Sequence, residues 1–222
     1  MRNFLFSLFV LMAAVSASAQ EIRSREAGFE DFRELLTATG YESFCFDMSD
    51  FVTADCADYA LAFRIKEYAE GVEQTVFRSN VGHMKNVFFD EEGKRHDFNI
   101  DKINVGIHPA ESDSLVYISC ITTMGRDSKR LAKKPLRMPD GHDFERRLYA
   151  SRPFAFAPFE VGKFIPLVLY GSFWFDEPND AIRFCGANEI APDLSSEIVG
   201  NIPHFYVMGI ELQQVEKQEQ QN

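Results

Sequence analysis

The pattern of apolar and polar positions changes its period at Gly40. In residues 24–39, SREAGFEDFRELLTAT, apolar side chains recur at helical spacing with charged residues between them: Phe29, Phe32, Leu35 and Leu36. This spacing predicts one amphipathic helix that ends at Gly40, because glycine commonly follows a helix C-terminus. We expect the apolar stripe of this helix to lie on a sheet or to cap one end of a core.

Beyond Gly40 the chain breaks into apolar runs that are rich in Phe, Val and Tyr and short enough to be β-strands. The run KNVFFDEEGKRHDFNI is typical of a hairpin, because Gly93 lies in its polar centre and can adopt the positive φ of a bulged loop. In FNIDKINVGIHP the alternation shifts by one residue at Asp101–Lys102, which predicts a bulge or a sharp bend. Further along, IPLVLYGSFWFDEPNDAIRFC predicts two strands joined by a polar turn at 177–180.

Roughly eight to ten short strands and a single clear helix define the predicted fold class. It is mainly β: a two-layer antiparallel sandwich with one N-terminal amphipathic helix. The length suits one β-rich domain, which we place over residues 20–215, followed by a polar tail, EKQEQQN, over 216–222.

The first 19 residues have the composition of a secretory signal peptide. Arg2 supplies a short positive region, residues 4–15 an apolar stretch, and residues 17–19 a cleavage pattern of small side chains. The apolar stretch is shorter than the ~20 residues that a membrane-spanning helix needs. We therefore predict cleavage before Gln20 and an exported chain, periplasmic or extracellular, with no transmembrane segment after cleavage.

Charge and cysteine content narrow the class of protein further. The chain has 34 acidic and 23 basic residues, a formal net charge of −11, which argues against general nucleic-acid binding. Four cysteines in an exported chain allow disulfides in three pairings. A Cys45–Cys56 bridge is favoured because it closes a short loop, whereas Cys120 and Cys185 lie in apolar runs typical of buried free thiols.

No zinc motif, nucleophile motif or phosphate-binding glycine loop occurs in the sequence, so we predict no cofactor and favour a protein without catalysis. The densest set of carboxylates lies in FDMSDFVTADCAD, and its members are weak candidates for calcium ligands: Asp47, Asp50, Asp55 and Asp58. Their spacing does not match an EF-hand loop, and a solvated acidic loop is the simpler interpretation.

A basic stretch over residues 125–147, GRDSKRLAKKPLRMPDGHDFERR, holds eight basic and four acidic residues. Its prolines and glycines predict that most of it is loop. One interpretation is a solvated connection that pairs with the protein's own acidic surface. In the other, six cations bind an anionic glycan, a phosphate-rich surface or an acidic partner: Arg126, Lys129, Arg130, Lys133, Lys134 and Arg137.

An aromatic stretch over residues 152–176, RPFAFAPFEVGKFIPLVLYGSFWFD, contains the only tryptophan of the chain. Its prolines and charged residues exclude a spanning helix. Alternation along its strand places Tyr170 and Trp174 together on one face, opposite a Phe/Leu face that we assign to the core. An exposed Tyr170/Trp174 face would stack on sugar rings, whereas a buried one would pack under the helix. Burial is what we expect for the single tryptophan of a sandwich.

A signal that ends in SASAQ, a β-rich mature chain and the lack of a catalytic signature resemble the exported domain-of-unknown-function proteins of Gram-negative gut bacteria. The resemblance rests on the signal and the overall build, and it implies no functional residues.

The leading interpretation is a non-enzymatic exported module that binds a glycan or another envelope protein. Two alternatives stay open: a glycan-directed hydrolase that uses Asp or Glu carboxylates from separate strands, and a structural envelope protein. Two carboxylates that face each other across an open cleft, about 5–10 Å apart, would favour the hydrolase. A flat or filled surface would favour the binding module.

Overall fold

The structure, a computed structural model, describes residues 26, 28–52, 59–156, 160–184, 186 and 188–215. The predicted signal peptide and polar tail lie outside these residues, as do Asp55, Cys56, Asp58 and Cys185. The elements in chain order are the helix α1 (Phe29–Ala38) and the strands β1 (Glu42–Asp47), β2 (Tyr59–Ala69), β3 (Val72–His83), β4 (Lys85–Phe89), β5 (Arg95–Asn99), β6 (Lys102–Pro109), β7 (Leu115–Thr122), β8 (Gly125–Ala132), β9 (Tyr149–Pro153), β10 (Phe164–Ser172), β11 (Trp174–Asp176), β12 (Ala181–Arg183) and β13 (His204–Gln214).

Two antiparallel sheets form a sandwich, as the sequence predicts. The four-stranded sheet has the order β1-β6-β7-β8 and the five-stranded sheet the order β3-β2-β13-β10-β9. The strands β4 and β5 form the predicted hairpin, in which Gly93 has φ +76°, and β11 and β12 form a second one. The predicted bend at Asp101 is the point where the chain leaves the first hairpin and enters the four-stranded sheet.

The main core fills the space between the two sheets. Side chains from alternate positions of both sheets meet there without solvent contact, among them Ile65, Ile103, Ile118, Val168 and Met208. Each contributes about 1.5–3 kcal/mol of burial free energy. A second cluster lies on the other face of the five-stranded sheet, where Leu169 and Val207 pack with side chains from residues 190–202. The strands β10 and β13 are therefore buried on both faces.

The helix α1 ends as predicted. Gly40 has φ +83°, its N–H donates to Thr37 O at 2.9 Å, and the N–H of Tyr41 donates to Leu36 O at 2.9 Å. This is the glycine-dependent Schellman motif. The predicted burial of the apolar stripe is wrong, because all four of its side chains are at least half exposed: Phe29, Phe32, Leu35 and Leu36. The chain divides into two compact units after Leu35, and every strand belongs to the second unit.

Most of the basic stretch is loop, as predicted, but its first third forms a strand. Residues Gly125–Ala132 form β8, an edge strand that pairs with β7 through the tight turn at Thr122–Gly125. Only Leu131 of this strand is buried, so the strand carries almost no apolar alternation. Backbone pairing with β7 holds β8 at the edge of the sheet. Its charged side chains are compatible with this position because they reach solvent.

The predicted Cys45–Cys56 bridge is not formed, since Cys45 is an exposed free thiol on β1. Cys120 is a buried free thiol in the main core, as its apolar surroundings indicate. Across the described ranges, no helix is both long and apolar enough to cross a membrane.

Candidate functional site

At one end of the sandwich, the inner face of the five-stranded sheet changes from apolar to polar. One row across this face consists of Glu67, Tyr206, Tyr170 and Ser151, from β2, β13, β10 and β9 in that order. In the next row the N–H of His204 donates to Ser172 Oγ at 3.3 Å, and Ser172 pairs with Tyr149. Interior positions of a sandwich are normally apolar, so these two rows mark the candidate site.

Tyr149, His204 and Glu67 form a hydrogen-bonded triad. The Glu67 carboxylate only accepts, so His204 Nε2–H donates to Glu67 Oε1 at 2.8 Å. In a neutral imidazole Nδ1 is then an acceptor, and it receives the Tyr149 hydroxyl at 2.5 Å. Tyr149 Oη in turn accepts the backbone N–H of Lys134 at 2.8 Å. The triad thereby links β2, β13 and β9 to the basic stretch.

The environment determines the charges of the triad. Burial lowers the pKa of His204, and the nearby Lys134 charge adds to this effect, so the imidazole is neutral at pH 7. Burial tends to raise the pKa of Glu67, but hydrogen bonds from His204 and Gln74 outweigh it and the pKa lies below its ordinary value. Burial raises the pKa of Tyr149. At neutral pH the triad carries one negative charge, on Glu67.

Further hydrogen bonds satisfy the polar groups around the triad. Gln74 Nε2 donates to Glu67 Oε2 at 2.5 Å, and the Tyr206 hydroxyl donates to Ala132 O at 2.8 Å. The Ser151 hydroxyl donates to the Glu42 carboxylate, which joins β9 to β1 of the opposite sheet. Polar groups therefore connect the two sheets at this end, where apolar packing stops.

A cavity of about 930 Å³, the large cavity, opens beside His204. Its walls come from residues 134–139, 172–177 and 200–204 and from the end of β2. Trp174 is partly buried against the second apolar cluster and presents the rest of its ring to this cavity. The polar lining provides both hydrogen-bond donors and acceptors: Lys134, Arg137, Asn201, Glu70 and Glu177.

A second cavity of about 330 Å³, the small cavity, lies on the other side of the triad. Tyr149 lines the small cavity, His204 lines the large one, and Phe173 lines both. Residues of both sheets contribute to the small cavity, including Glu42 and Val116 from the four-stranded sheet.

The structure brings some of the predicted site residues together and separates others. Trp174, Lys134 and Arg137 line the large cavity, although they come from two separate sequence patterns. Tyr170 does not share a face with Trp174, because β10 ends at Ser172 and Phe173 interrupts the alternation before β11. Tyr170 points into the main core and is 6% exposed.

The other cations of the basic stretch lie away from the large cavity. Arg126, Lys129 and Arg130 are exposed on β8, and Arg130 forms an ion pair with Glu111 at 2.9 Å. Lys133 lines the small cavity and pairs with Asp113 at 3.3 Å. The interpretation in which this stretch pairs with the protein's own acids thus holds for part of it. The role of all six cations in ligand binding stays a prediction.

The calcium candidates stay predictions as well. Asp47 accepts the N–H of Ser49 at 2.8 Å, and the hydrogen bonds from Ser49 lower the pKa of its carboxyl. Asp50 is exposed in the short 3-10 turn that follows β1. Within the part of the chain that the structure describes, no group of three or more His, Cys, Asp and Glu side chains is placed to hold a metal ion.

Sequence reasoning missed the triad. Glu67 and His204 are 137 positions apart, and Tyr149 and His204 are 55 apart, so no local spacing indicates that they meet. One local feature of the sequence pointed to Glu67. It follows Phe63 and Ile65 on the face of β2 that is directed into the core, where a charged residue is unusual.

Fold and site together define a β-sandwich domain with a polar end that separates two cavities. The chain belongs to the family described as domain of unknown function DUF5041, whose model matches residues 11–214. No curated protein and no solved structure matches the chain significantly. The predicted resemblance to a family of unknown function is confirmed, while export and origin in gut bacteria stay predictions.

Proposed function

We propose that this protein is an exported, non-enzymatic module that binds a carbohydrate chain in the large cavity. One observation supports this above the others. The only tryptophan of the chain lines a cavity of about 930 Å³ together with side chains that both donate and accept hydrogen bonds. Sugars offer the complementary surface, because their hydroxyl groups donate and accept, and their apolar ring faces stack on aromatic rings.

The charges of the lining favour a polar ligand over a strongly anionic one. Lys134 and Arg137 are balanced by Glu70 and Glu177. Arg137 is in addition paired with Asp143 at 2.9 Å, whereas the Lys134 ammonium has no ion-pair partner within the described ranges. A neutral or singly acidic glycan therefore suits the cavity better than a polyanion does.

The single tryptophan makes the proposal directly testable. A glycan array screened with the mature chain would supply soluble ligands, and their titration would be followed by Trp174 fluorescence and by calorimetry. We expect Trp174→Ala and Lys134→Gln each to weaken binding about tenfold or more, the equivalent of ~1.4 kcal/mol. Lys129→Gln is the matched control, because it removes a cation of the same basic stretch that does not line the cavity. Equal binding by all four proteins would contradict the proposal.

A second candidate function has a specific observation in its favour. Glu70 and Glu177 both line the large cavity, and a carbohydrate hydrolase needs two carboxylates in one cleft. Both residues are exposed, whereas the general acid of such an enzyme lies in an apolar pocket. We therefore rank hydrolysis second. Release of reducing sugar from an array ligand, abolished by Glu177→Gln, would reverse this order.

The proposal of export has its own test. Expression of the full chain in a Gram-negative host should yield a periplasmic or secreted protein whose N-terminus is Gln20. Mass spectrometry of the intact mature chain distinguishes this result from an uncleaved protein that begins at Met1. If the chain is exported and no ligand on the glycan array binds, the result would favour a structural role in the envelope.

A further inference from the structure

The small cavity is lined by a tyrosine hydroxyl that the described residues leave without a hydrogen-bond partner. Tyr170 is 6% exposed, and its ring packs against Tyr149 at 5.1 Å between centroids. Within the described ranges its hydroxyl makes no hydrogen bond, although it lines the small cavity. The neighbouring hydroxyls of Tyr149 and Tyr206 are both satisfied.

Two charged groups of the small cavity, Lys133 and Asp113, are already paired with each other. Asp113 accepts from Lys133 Nζ at 3.3 Å and from the N–H of Arg147 at 2.6 Å, so neither carboxylate oxygen is free. Glu42 differs, because Ser151 donates to one of its oxygens and the other has no partner among the described residues. Arg146 forms no hydrogen bond or ion pair with the described residues.

The groups left free in the small cavity are thus one carboxylate, one guanidinium, one hydroxyl and the buried Arg147 Nε–H, which has no hydrogen-bond partner within the described ranges. We propose that this cavity binds a small zwitterion, specifically a free α-amino acid. The ammonium group would pair with Glu42, the carboxylate would pair with Arg146, and the Tyr170 hydroxyl would donate to the ligand. The volume of about 330 Å³ lies at the lower end of the range for ligand pockets, which suits a molecule of this size. This inference is independent of carbohydrate binding in the large cavity.

Free L-amino acids at millimolar concentration, tested one at a time, are the probes. Calorimetry and thermal melting of the mature chain would detect binding, since a ligand that binds only the folded state raises its stability. Acetate and methylamine, alone and together, separate recognition of a zwitterion from recognition of a single charge. We expect at least one amino acid to bind and neither small ion to do so.

Tyr170→Phe is the decisive variant. It removes only the unpartnered hydroxyl, so we expect a melting temperature no lower than that of wild type and amino-acid affinity about tenfold lower. Glu42→Gln and Arg146→Gln should weaken binding similarly, whereas Arg126→Gln on β8 should not. The inference is overturned if no amino acid binds, if acetate binds equally well, or if Tyr170→Phe binds as wild type.

Discussion

Replacing His204 tests the triad most directly. His204→Ala removes the donor to Glu67 Oε1 and the acceptor of the Tyr149 hydroxyl in one step. Two polar groups then lose their partners, at about 1–3 kcal/mol each. The Glu67 side chain is 13% exposed, so water can replace part of its lost bond. We therefore expect a loss near the lower end of the sum, about 2–3 kcal/mol in the free energy of unfolding.

Urea denaturation of the mature chain measures this loss. His204→Gln is the matched variant, because an amide can donate to Glu67 and accept from Tyr149, and it should recover at least half of the lost stability. His142→Ala is the control, since the His142 side chain is 62% exposed and such surface changes stay within about 0.5 kcal/mol. A loss below about 1 kcal/mol for His204→Ala would refute the assignment of this triad as a structural hydrogen-bond network.

The pH dependence of stability provides an independent check. The folded protein holds the pKa of His204 below its ordinary value, so the unfolded chain takes up this proton first as the pH falls. Stability is therefore fully present above the ordinary histidine pKa, about 6.5, and is lost progressively below it. Glu67 has a lowered pKa and adds a second loss below about 4.5. His204→Gln should remove its own share of the first loss and leave the share of His108, whose pKa burial also lowers; an unchanged slope between about pH 6.5 and 5 would contradict the reasoning.

Three further outcomes follow from the packing. Cys45 should react with a thiol reagent in the folded protein, whereas Cys120, whose pKa burial raises to about 12, should react only on unfolding; peptide mapping after alkylation distinguishes the two. Gly209→Ala should lower the free energy of unfolding by about 1–3 kcal/mol or more, because the added methyl group would collide with Ile165 O and the Phe164 ring. Gly186→Ala is the control: its methyl group meets nothing nearby, so this variant should unfold in urea as wild type does. Tyr149→Phe combined with His204→Ala should cost less than the sum of the two single changes, by at least about 0.5 kcal/mol in a double-mutant cycle.

Periodicity predicted the elements whose side chains alternate between core and solvent. The helix end at Gly40, the hairpin around Gly93 and the turn after β11 each carry a local signal, and the structure contains all three. The strand β8 had no such signal, because most of its side chains are polar and its pairing uses the backbone. Local pattern cannot detect an edge strand that is stabilised by its neighbour.

The aromatic stretch shows a second limit of alternation. The end of β10 at Ser172 separates Tyr170 from Trp174, so the two rings line different cavities. Parity holds only while a strand continues without irregularity. The sequence could not predict the triad for a different reason. Its three side chains meet only when β2, β9 and β13 are assembled in one sheet.

The effects of removing the Tyr170 and Tyr206 hydroxyl groups on stability can be compared, because only the Tyr206 hydroxyl forms a hydrogen bond within the described ranges. Both rings lie in the main core, and burial raises the pKa of both hydroxyls. Tyr206→Phe removes a hydrogen bond to Ala132 O at 2.8 Å and should destabilise the fold by about 1 kcal/mol. Tyr170→Phe removes no intramolecular bond and should be neutral or stabilising.

Phenylalanine would fill the space at position 170 equally well, because no described residue forms a hydrogen bond with the Tyr170 hydroxyl. A domain selected for stability alone gains nothing from tyrosine there. Parallel urea titrations of the two variants measure the contrast in one experiment. Equal destabilisation by both changes would show that the Tyr170 hydroxyl has an unseen structural partner, and it would remove the main support for a ligand in the small cavity.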